Sequence, residues 1–281
     1  MKKSVLFISI IVFFLASSEV SSQTPKYASE ETRQIVEKMI AAHGGMETWK
    51  KAKTMSFDNI FFSEFLGKEK FWINKVTVDQ QTKRVYQEWS LHNATMAFDG
   101  KQTWSVNWKV GNPPKFEAMF YYYFLNLPWL TQYKNVELGA VEKIKHKAFE
   151  NEVYVIQMSF AESPVVGKTA LDSYKLFIDS KDFWLIGYEY TIGYGGLLDA
   201  MGMPTDRQVF GPNLRINDSF IKVDGLIYPR LMHTSNLEVT KNLGFHAIVN
   251  YSLKATFDET KLTMPKDAVV DKSNEKRAAK K

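Results

Sequence analysis

Five histidines, His43, His92, His146, His233 and His246, carry the widest chemical range in this chain. A neutral imidazole can ligate a metal or move a proton near neutral pH. A metal centre drawn from them needs ligands at a short, regular spacing with a carboxylate close by, and no pair of these histidines has that spacing. The carboxylates Asp172, Asp179 and Asp182 surround a stretch that reads as a turn, so solvated turn residues are expected there rather than a pair for acid–base work. The chain holds no G-x-S-x-G elbow, no H-E-x-x-H, no phosphate-cradling loop and no calcium loop. It also has no cysteine, hence no disulfide framework and no thiolate metal site. No catalytic residue, no metal ligand and no cofactor is assigned from the residues, and the expectation is a protein that is not an enzyme.

Aromatic side chains carry more. They make up 14% of the chain, yet half of the segment "MFYYYFLNLPWL", Met119–Leu130, is aromatic. Each large apolar side chain left in water costs roughly 1.5–3 kcal/mol, and the segment is too short to cross a bilayer, which takes about 20 apolar residues. Either a core or an apolar ligand must cover it. Trp104, Trp108, Trp184, Tyr188 and Tyr190 add further aromatic surface on alternating positions elsewhere. Tyr and Trp suit the wall of a binding cavity because each has an apolar body and a polar edge.

These residues must be positioned by strands. Ser29, followed by Glu30 and Glu31, reads as a helix start, and Ile35, Val36, Met39 and Ile40 form one helical stripe. His43-Gly44-Gly45 stops that helix, and a short amphipathic turn "METWKK" follows. From about residue 53 the period becomes two. Trp104, Val106, Trp108 and Val110 share a face, as do Tyr154, Ile156, Met158 and Phe160. So do Trp184, Ile186, Tyr188, Tyr190 and Ile192, and likewise Val249, Tyr251, Leu253, Ala255 and Phe257. Asp99-Gly100 and Asp224-Gly225 read as hairpin turns, and Ser180-Lys181-Asp182 as a longer one. This predicts ten or eleven antiparallel strands between Thr54 and Phe257 in one sheet, which at that size must curl or close. The period of two fails only over about residues 115–133, where two short helices are expected, one before and one after Asn126, with Asn126 capping the second and Pro128 in its first turn.

The two ends have their own character. Lys2 and Lys3, the apolar run Val5–Leu15 and the small residues Ala16–Ser22 read as a secretory signal peptide over residues 1–22 with cleavage before Gln23, a single N-terminal membrane anchor being the other reading. This places the mature protein in the periplasm. The net charge of +5 is concentrated in "KSNEKRAAKK", Lys272–Lys281, which carries five basic residues and one acidic. Residues 271–281 are expected to form a disordered basic tail, with weak attraction to an anionic membrane surface as its only partner chemistry. Export and the lack of a basic face in the folded body argue against nucleic acid. A monomer is expected.

The order of signal peptide, helix ending "AAHGGMETWKKAKTM", antiparallel meander and mid-chain helical segment resembles the LolA-like superfamily of periplasmic lipoprotein-carrier and lipid-binding proteins, and most of all its exported Bacteroidetes-type members. "FDGKQTWSVN" (Phe98–Asn107), "SYKLFIDSKDFWLIGYEY" (Ser173–Tyr190) and "VDGLIYPRLM" (Val223–Met232) resemble hairpins of that family. The resemblance implies an α+β fold over residues 23–270: a large antiparallel sheet curled into an unclosed half-barrel, with an N-terminal helix and a mid-chain helical lid over an apolar cavity. It also implies a lipid or lipoprotein acyl chain as ligand. The expected ligand-binding residues are Trp104, Trp108, Phe120, Tyr121, Phe124, Trp129, Trp184, Tyr188 and Tyr190. An exported hydrolase or an envelope sensor domain using the same cavity is the alternative. "IGYGGLLDAMGMPTDRQVFGPN" (Ile192–Asn213) reads as an insertion relative to the lipoprotein carrier.

Overall fold

The computed structural model describes residues 24–63, 71–275 and 277. The expected signal peptide and cleavage site lie outside the described residues. Helix α1 (Glu30–Ala42) begins where expected, with the Ser29 hydroxyl accepting from the Thr32 backbone N–H at 3.1 Å, and buries Ile35, Val36, Met39 and Ile40. It stops at Gly44 (φ 101°) and Gly45 (φ 83°), and α2 (Met46–Lys51) follows. A Cβ on Gly44 would meet the Gly225 carbonyl oxygen at 2.3 Å, so only glycine lets this helix end touch the turn beyond it. His43 makes the same junction chemical. Its Nδ1–H donates to the Ile227 carbonyl (2.8 Å), and its Nε2 accepts from the Leu185 N–H (3.0 Å).

Two meanders follow. The first comprises β2 (Thr54–Phe62), β3 (Phe71–Asp79), β4 (Val85–Trp89), β5 (Ala94–Phe98) and β6 (Thr103–Val106). The second comprises β7 (Val136–Lys145), β8 (Glu152–Phe160), β9 (Ser173–Asp179), β10 (Leu185–Ile192), β11 (Phe210–Val223), β12 (Leu226–Ser235) and β13 (Asn242–Ser252). Pairing of β13 with β2 joins them, and short strands β1 (Lys26–Tyr27) and β14 (Val269–Val270) sit on the two outer edges. Among the described residues this makes one 14-stranded sheet, antiparallel except for β1 on β7, with edges that do not meet. The fold is thus α+β, an unclosed, curled antiparallel sheet. The turns at Asp99-Gly100, Ser180–Asp182 and Asp224-Gly225 each join consecutive strands as expected.

The topology dictates where the aromatic segment goes. β6 lies beside one edge of the sheet and β7 beside the other, so their connection has to cross the concave face. That connection is helix α3 (Pro114–Leu130), and every residue in it except Lys115 and Phe120 is buried. A helix apolar all round is a core helix. This corrects three expectations. There is one helix rather than two, with Pro128 inside its last turn. Asn126 caps nothing: its Nδ2 donates to the Tyr122 carbonyl (2.9 Å), while its Oδ1 accepts from the Trp49 indole on α2 (2.7 Å). Nor is α3 a lid with an outer face, since Tyr121, Tyr122 and Tyr123 are all buried. No helix among the described residues is long and apolar enough to cross a membrane.

Bulges redirect two of the expected faces. The β9–β10 register shifts between Leu185 and Gly187, so Leu185, Tyr188, Tyr190 and Ile192 face the core, while Ile186 packs on the opposite side and Trp184 precedes the strand. In β13 the register shifts between Val249 and Ser252, where Asn250 has φ 55°. Ile248 then replaces Val249 on the inner face, ahead of Tyr251 and Leu253. Strand β6 ends at Val106, and Asn107 (φ 53°) turns the chain, so Trp108 and Val110 are not strand residues.

The expected disordered tail is also corrected over part of its length. The Asp271 carboxylate accepts from the Lys115 N–H at the start of α3 (2.7 Å), and the Asn274 and Glu275 carbonyls accept from Gly196 and Gly195 (2.7 and 2.8 Å). Arg277 pairs with Asp199 at 2.8 Å. These contacts hold Asp271–Glu275 and Arg277 to the body; residues 276 and 278–281 lie outside the described residues.

Candidate ligand cavity

A cavity of about 870 Å³ opens beside the N-terminal half of α3. This is a small-molecule size. Phe116, Glu117, Phe120 and Tyr121 of α3 form one wall, and Tyr190, Ile192 and Arg215 of β10 and β11 another. Phe61, Trp72 and His246, from β2, β3 and β13, close the far side. The chain between β10 and β11, part of the stretch read as an insertion, folds into the short helix α4 (Gly195–Ala200) and supplies Leu197 and Met201 to the rim, beside Phe210 at the start of β11. Lys109, Ala200 and Met201 at the opening are exposed, while Arg215, Tyr121 and His246 at the floor are 2–3% exposed.

Of the nine expected ligand-binding residues, the structure brings Phe120, Tyr121 and Tyr190 to the cavity wall. Phe124 sits directly behind it, edge-on to Tyr190 at 5.1 Å. The other five are elsewhere. Tyr188 and Trp129 are core residues, Trp129 stacking on Trp49 (6.1 Å) and packing on Tyr228 (5.1 Å). Trp104 is buried in β6 beside β14. Trp108 packs edge-on against Trp89 (5.3 Å) in a satellite cluster, and Trp184 lies half-buried on Phe220 (4.7 Å). The bulge in β10 and the early end of β6 account for the two displaced strand tryptophans, Trp184 and Trp108.

The polar floor is what sequence reasoning missed. In β11, Leu214 and Ile216 alternate with Asn213, Arg215 and Asn217, which reads as an apolar inner face and a wetted outer one. The structure inverts this. Leu214 and Ile216 join a satellite cluster with Phe149, Val153 and Phe177 on the far side of the sheet, and Arg215 points inward. The only available signal was that Phe149 and Phe177 needed apolar partners too. A second buried polar row crosses the inner face of β13, β2, β3 and β4: His246 Nδ1 to Asn59 Oδ1 (3.2 Å), Asn59 to Asn74 (2.9 Å), Asn74 to Gln87 (3.0 Å), and Gln87 to the Glu117 carbonyl (2.8 Å). Buried amides have to be satisfied, and here they satisfy one another in register.

The charges of the floor follow from burial. Lys168 and Asp172 form a buried pair at 3.5 Å, Lys168 also donating to the Tyr174 hydroxyl (3.1 Å) and lying over the Phe120 and Phe124 rings. Asp172 is therefore not the solvated turn residue expected; it also accepts from the Gly193 N–H at 2.8 Å and pins the start of the rim loop. Burial pushes the Lys168 ammonium down and the Asp172 carboxyl up. Burial likewise raises Glu117 to about 7, against the Asn112 hydrogen bond and the Lys168 charge. His246 is held well below its ordinary value by burial and then by Arg215, so it is neutral. For Arg215, burial acts to lower the guanidinium, and the Tyr188 and Tyr190 hydroxyls more than offset it, leaving the group charged.

Of the remaining three histidines, His92 lies edge-on to Trp89 (6.1 Å), His146 packs on Phe149 and Phe177, and His233 meets Asp218 at 2.7 Å. Among the described residues no three His, Asp or Glu side chains gather where a metal could be held. What the cavity offers chemically is apolar wall, hydrogen-bond donors and one buried cation.

No protein-family model matches the chain, and no curated protein matches it. Among solved structures it is similar to a LolA superfamily protein from Nitrosomonas europaea, with a TM-score of 0.49 and 8% identity over 83% of this chain and 97% of that one. It is also similar to a DUF1329 family protein from Desulfovibrio piger (TM-score 0.48, 8% identity, 83% and 97% covered). A third likeness is to a domain described as outer membrane lipoprotein-sorting from Vibrio parahaemolyticus (TM-score 0.44, 7% identity, 79% and 97% covered).

Proposed function

We propose that the protein is an exported, periplasmic binding or carrier protein that holds the acyl chain of a lipid or acylated protein without covalent chemistry. The observation that supports this is the cavity of about 870 Å³ beside α3, with an open rim and aromatic and aliphatic walls. Each methylene buried there contributes about 0.8 kcal/mol. A chain of about twelve methylenes thus gains roughly 10 kcal/mol, against an association cost of roughly 4 kcal/mol or more. The rim segment carrying Leu197 and Met201 takes the covering role that the sequence had suggested for α3. The basic residues at the C-terminus are the proposed contact with an anionic membrane surface.

The reading is tested by titrating lipid-stripped protein with a fluorescent fatty acid. Saturable binding that palmitate competes away is the expected result. A signal that rises linearly, with no saturation and no competition, counts against an acyl cavity.

A further inference from the structure

Arg215 is 2% exposed, yet among the described residues its Nε and Nη1 have no hydrogen-bond partner. Those atoms carry three of the five N–H donors of a guanidinium. The Phe124 and Tyr190 rings lie 4.7 and 5.7 Å from its centre, and among the described residues the Tyr190 hydroxyl is its one hydrogen-bonding neighbour, leaving Nε and Nη1 unmet. Rings stacked on a guanidinium interact with its face; they do not satisfy donors that point outward in its plane. The other buried cation of this region is already matched, Lys168 by Asp172. Glu117 lines the same cavity; its Oε1 is held by Asn112, its Oε2 has no hydrogen-bond partner, and among the described residues no ion pair joins it to Arg215. His246 beside it is neutral, and the Lys168 charge faces the Phe120 and Phe124 rings. A buried, unpaired cation with idle donors is costly, and here it faces an open space large enough to bring it an anion.

We propose that Arg215 anchors the oxyanion head of a single-chain amphiphile that enters the cavity head first, its tail running along Phe116, Ile192 and Leu197 to the exposed rim. Of the polar row His246–Asn59–Asn74, only His246 lines the cavity, and its Nδ1 is already tied to Asn59. This rests on the acyl-chain reading above and adds to it a headgroup class and a direction of entry. The same guanidinium chemistry would take a free anion, so the test separates the two sources.

The test is competition binding on lipid-stripped protein with palmitate, hexadecanol and inorganic phosphate, on the wild type and on Arg215→Met and Arg215→Lys. Wild-type protein is expected to prefer palmitate over hexadecanol by about tenfold to a hundredfold, the worth of charge-assisted hydrogen bonds in a buried site. Arg215→Met should erase that preference, leave hexadecanol affinity nearly unchanged and melt no lower than the wild type when empty. Arg215→Lys, which keeps the charge but loses the fork, should keep only part of the preference. Equal affinity for palmitate and hexadecanol in the wild type, or an undiminished preference in either variant, overturns the anchor while leaving the acyl cavity standing. Inorganic phosphate competing as well as palmitate overturns head-first entry in favour of a free-anion site. Failure of both amphiphiles to bind sinks the acyl reading itself, and the anchor with it.

Discussion

Replacing Trp129 by alanine is expected to destabilise the protein by about 3–5 kcal/mol, the cost of deleting a large buried side chain whose surroundings collapse only in part. Trp129 has no exposed surface; it stacks on Trp49 and packs on Tyr228, joining the end of α3 to α2 and β12. It takes no part in the cavity wall. The loss should therefore appear in chemical denaturation, while the affinity of the folded fraction for an acyl probe stays near the wild-type value. Phe124→Ala behaves differently, because Phe124 backs both Arg215 and Tyr190. It should lose stability on the same scale and affinity as well. If Trp129→Ala instead kept its stability and lost affinity, α3 would be a lid over the ligand rather than the core around which the sheet curls.

Lowering the pH is expected to remove about 3 kcal/mol from the stability contributed by His43. Burial holds this imidazole at about 4, against an ordinary value of 6.5 and despite the Ile227 carbonyl that favours its charged form. The cause is visible in its contacts: Nδ1–H donates to Ile227, and Nε2 must stay unprotonated to accept from Leu185. Above pH 6.5 the imidazole is neutral in both folded and unfolded chains, and the contribution is complete. Between 6.5 and 4 only the unfolded chain takes up the proton, so stability is lost as the pH falls. Glu117 works in the opposite sense. Its carboxyl, raised by burial to about 7, favours the folded state at low pH and loses that contribution as the pH rises from about 4.5 to 7. The wild-type profile thus hides both slopes, and variants separate them. The stability difference between wild type and His43→Gln, measured by urea unfolding at pH 4 and pH 7.5, should grow toward the higher pH. The difference between wild type and Glu117→Gln should grow toward the lower. Parallel profiles for wild type and His43→Gln would mean that His43 is not held neutral.

The alternation of apolar residues and the Asp-Gly turns made the sheet legible, and the stripe ending at Gly44-Gly45 made α1 legible. These are local signals, and local geometry obeyed them. The single long α3 was not legible, because Asn126 and Pro128 carry strong boundary signals. They were overridden by a topology that runs the chain from one edge of the sheet to the other. Bulges at Gly187 and Asn250 are invisible to periodicity, yet each moves several side chains to the other face. That is why Trp184 and Val249 left the inner face. The cavity floor was hidden for a different reason. Arg215, Asn59, Asn74 and Gln87 look like the wet side of ordinary strands, and only a second apolar cluster behind β8, β9 and β11 makes their face the inner one. Phe120, Tyr121 and Tyr190 were found because aromatic density marks both cores and cavities. Trp104 and Tyr188 were named by the same signal; Trp104 is buried in β6, and Tyr188 is buried opposite Arg215 without lining the cavity.

The central claim is that the cavity holds an acyl ligand in its own compartment. Native mass spectrometry of the protein purified from its own cell envelope, followed by lipid extraction, measures this most directly. The account predicts a mature chain beginning at Gln23 that carries a co-purifying acyl lipid with an anionic head, released when the protein is denatured. A chain recovered at its bare mass, with no acyl lipid in the extract, would contradict it.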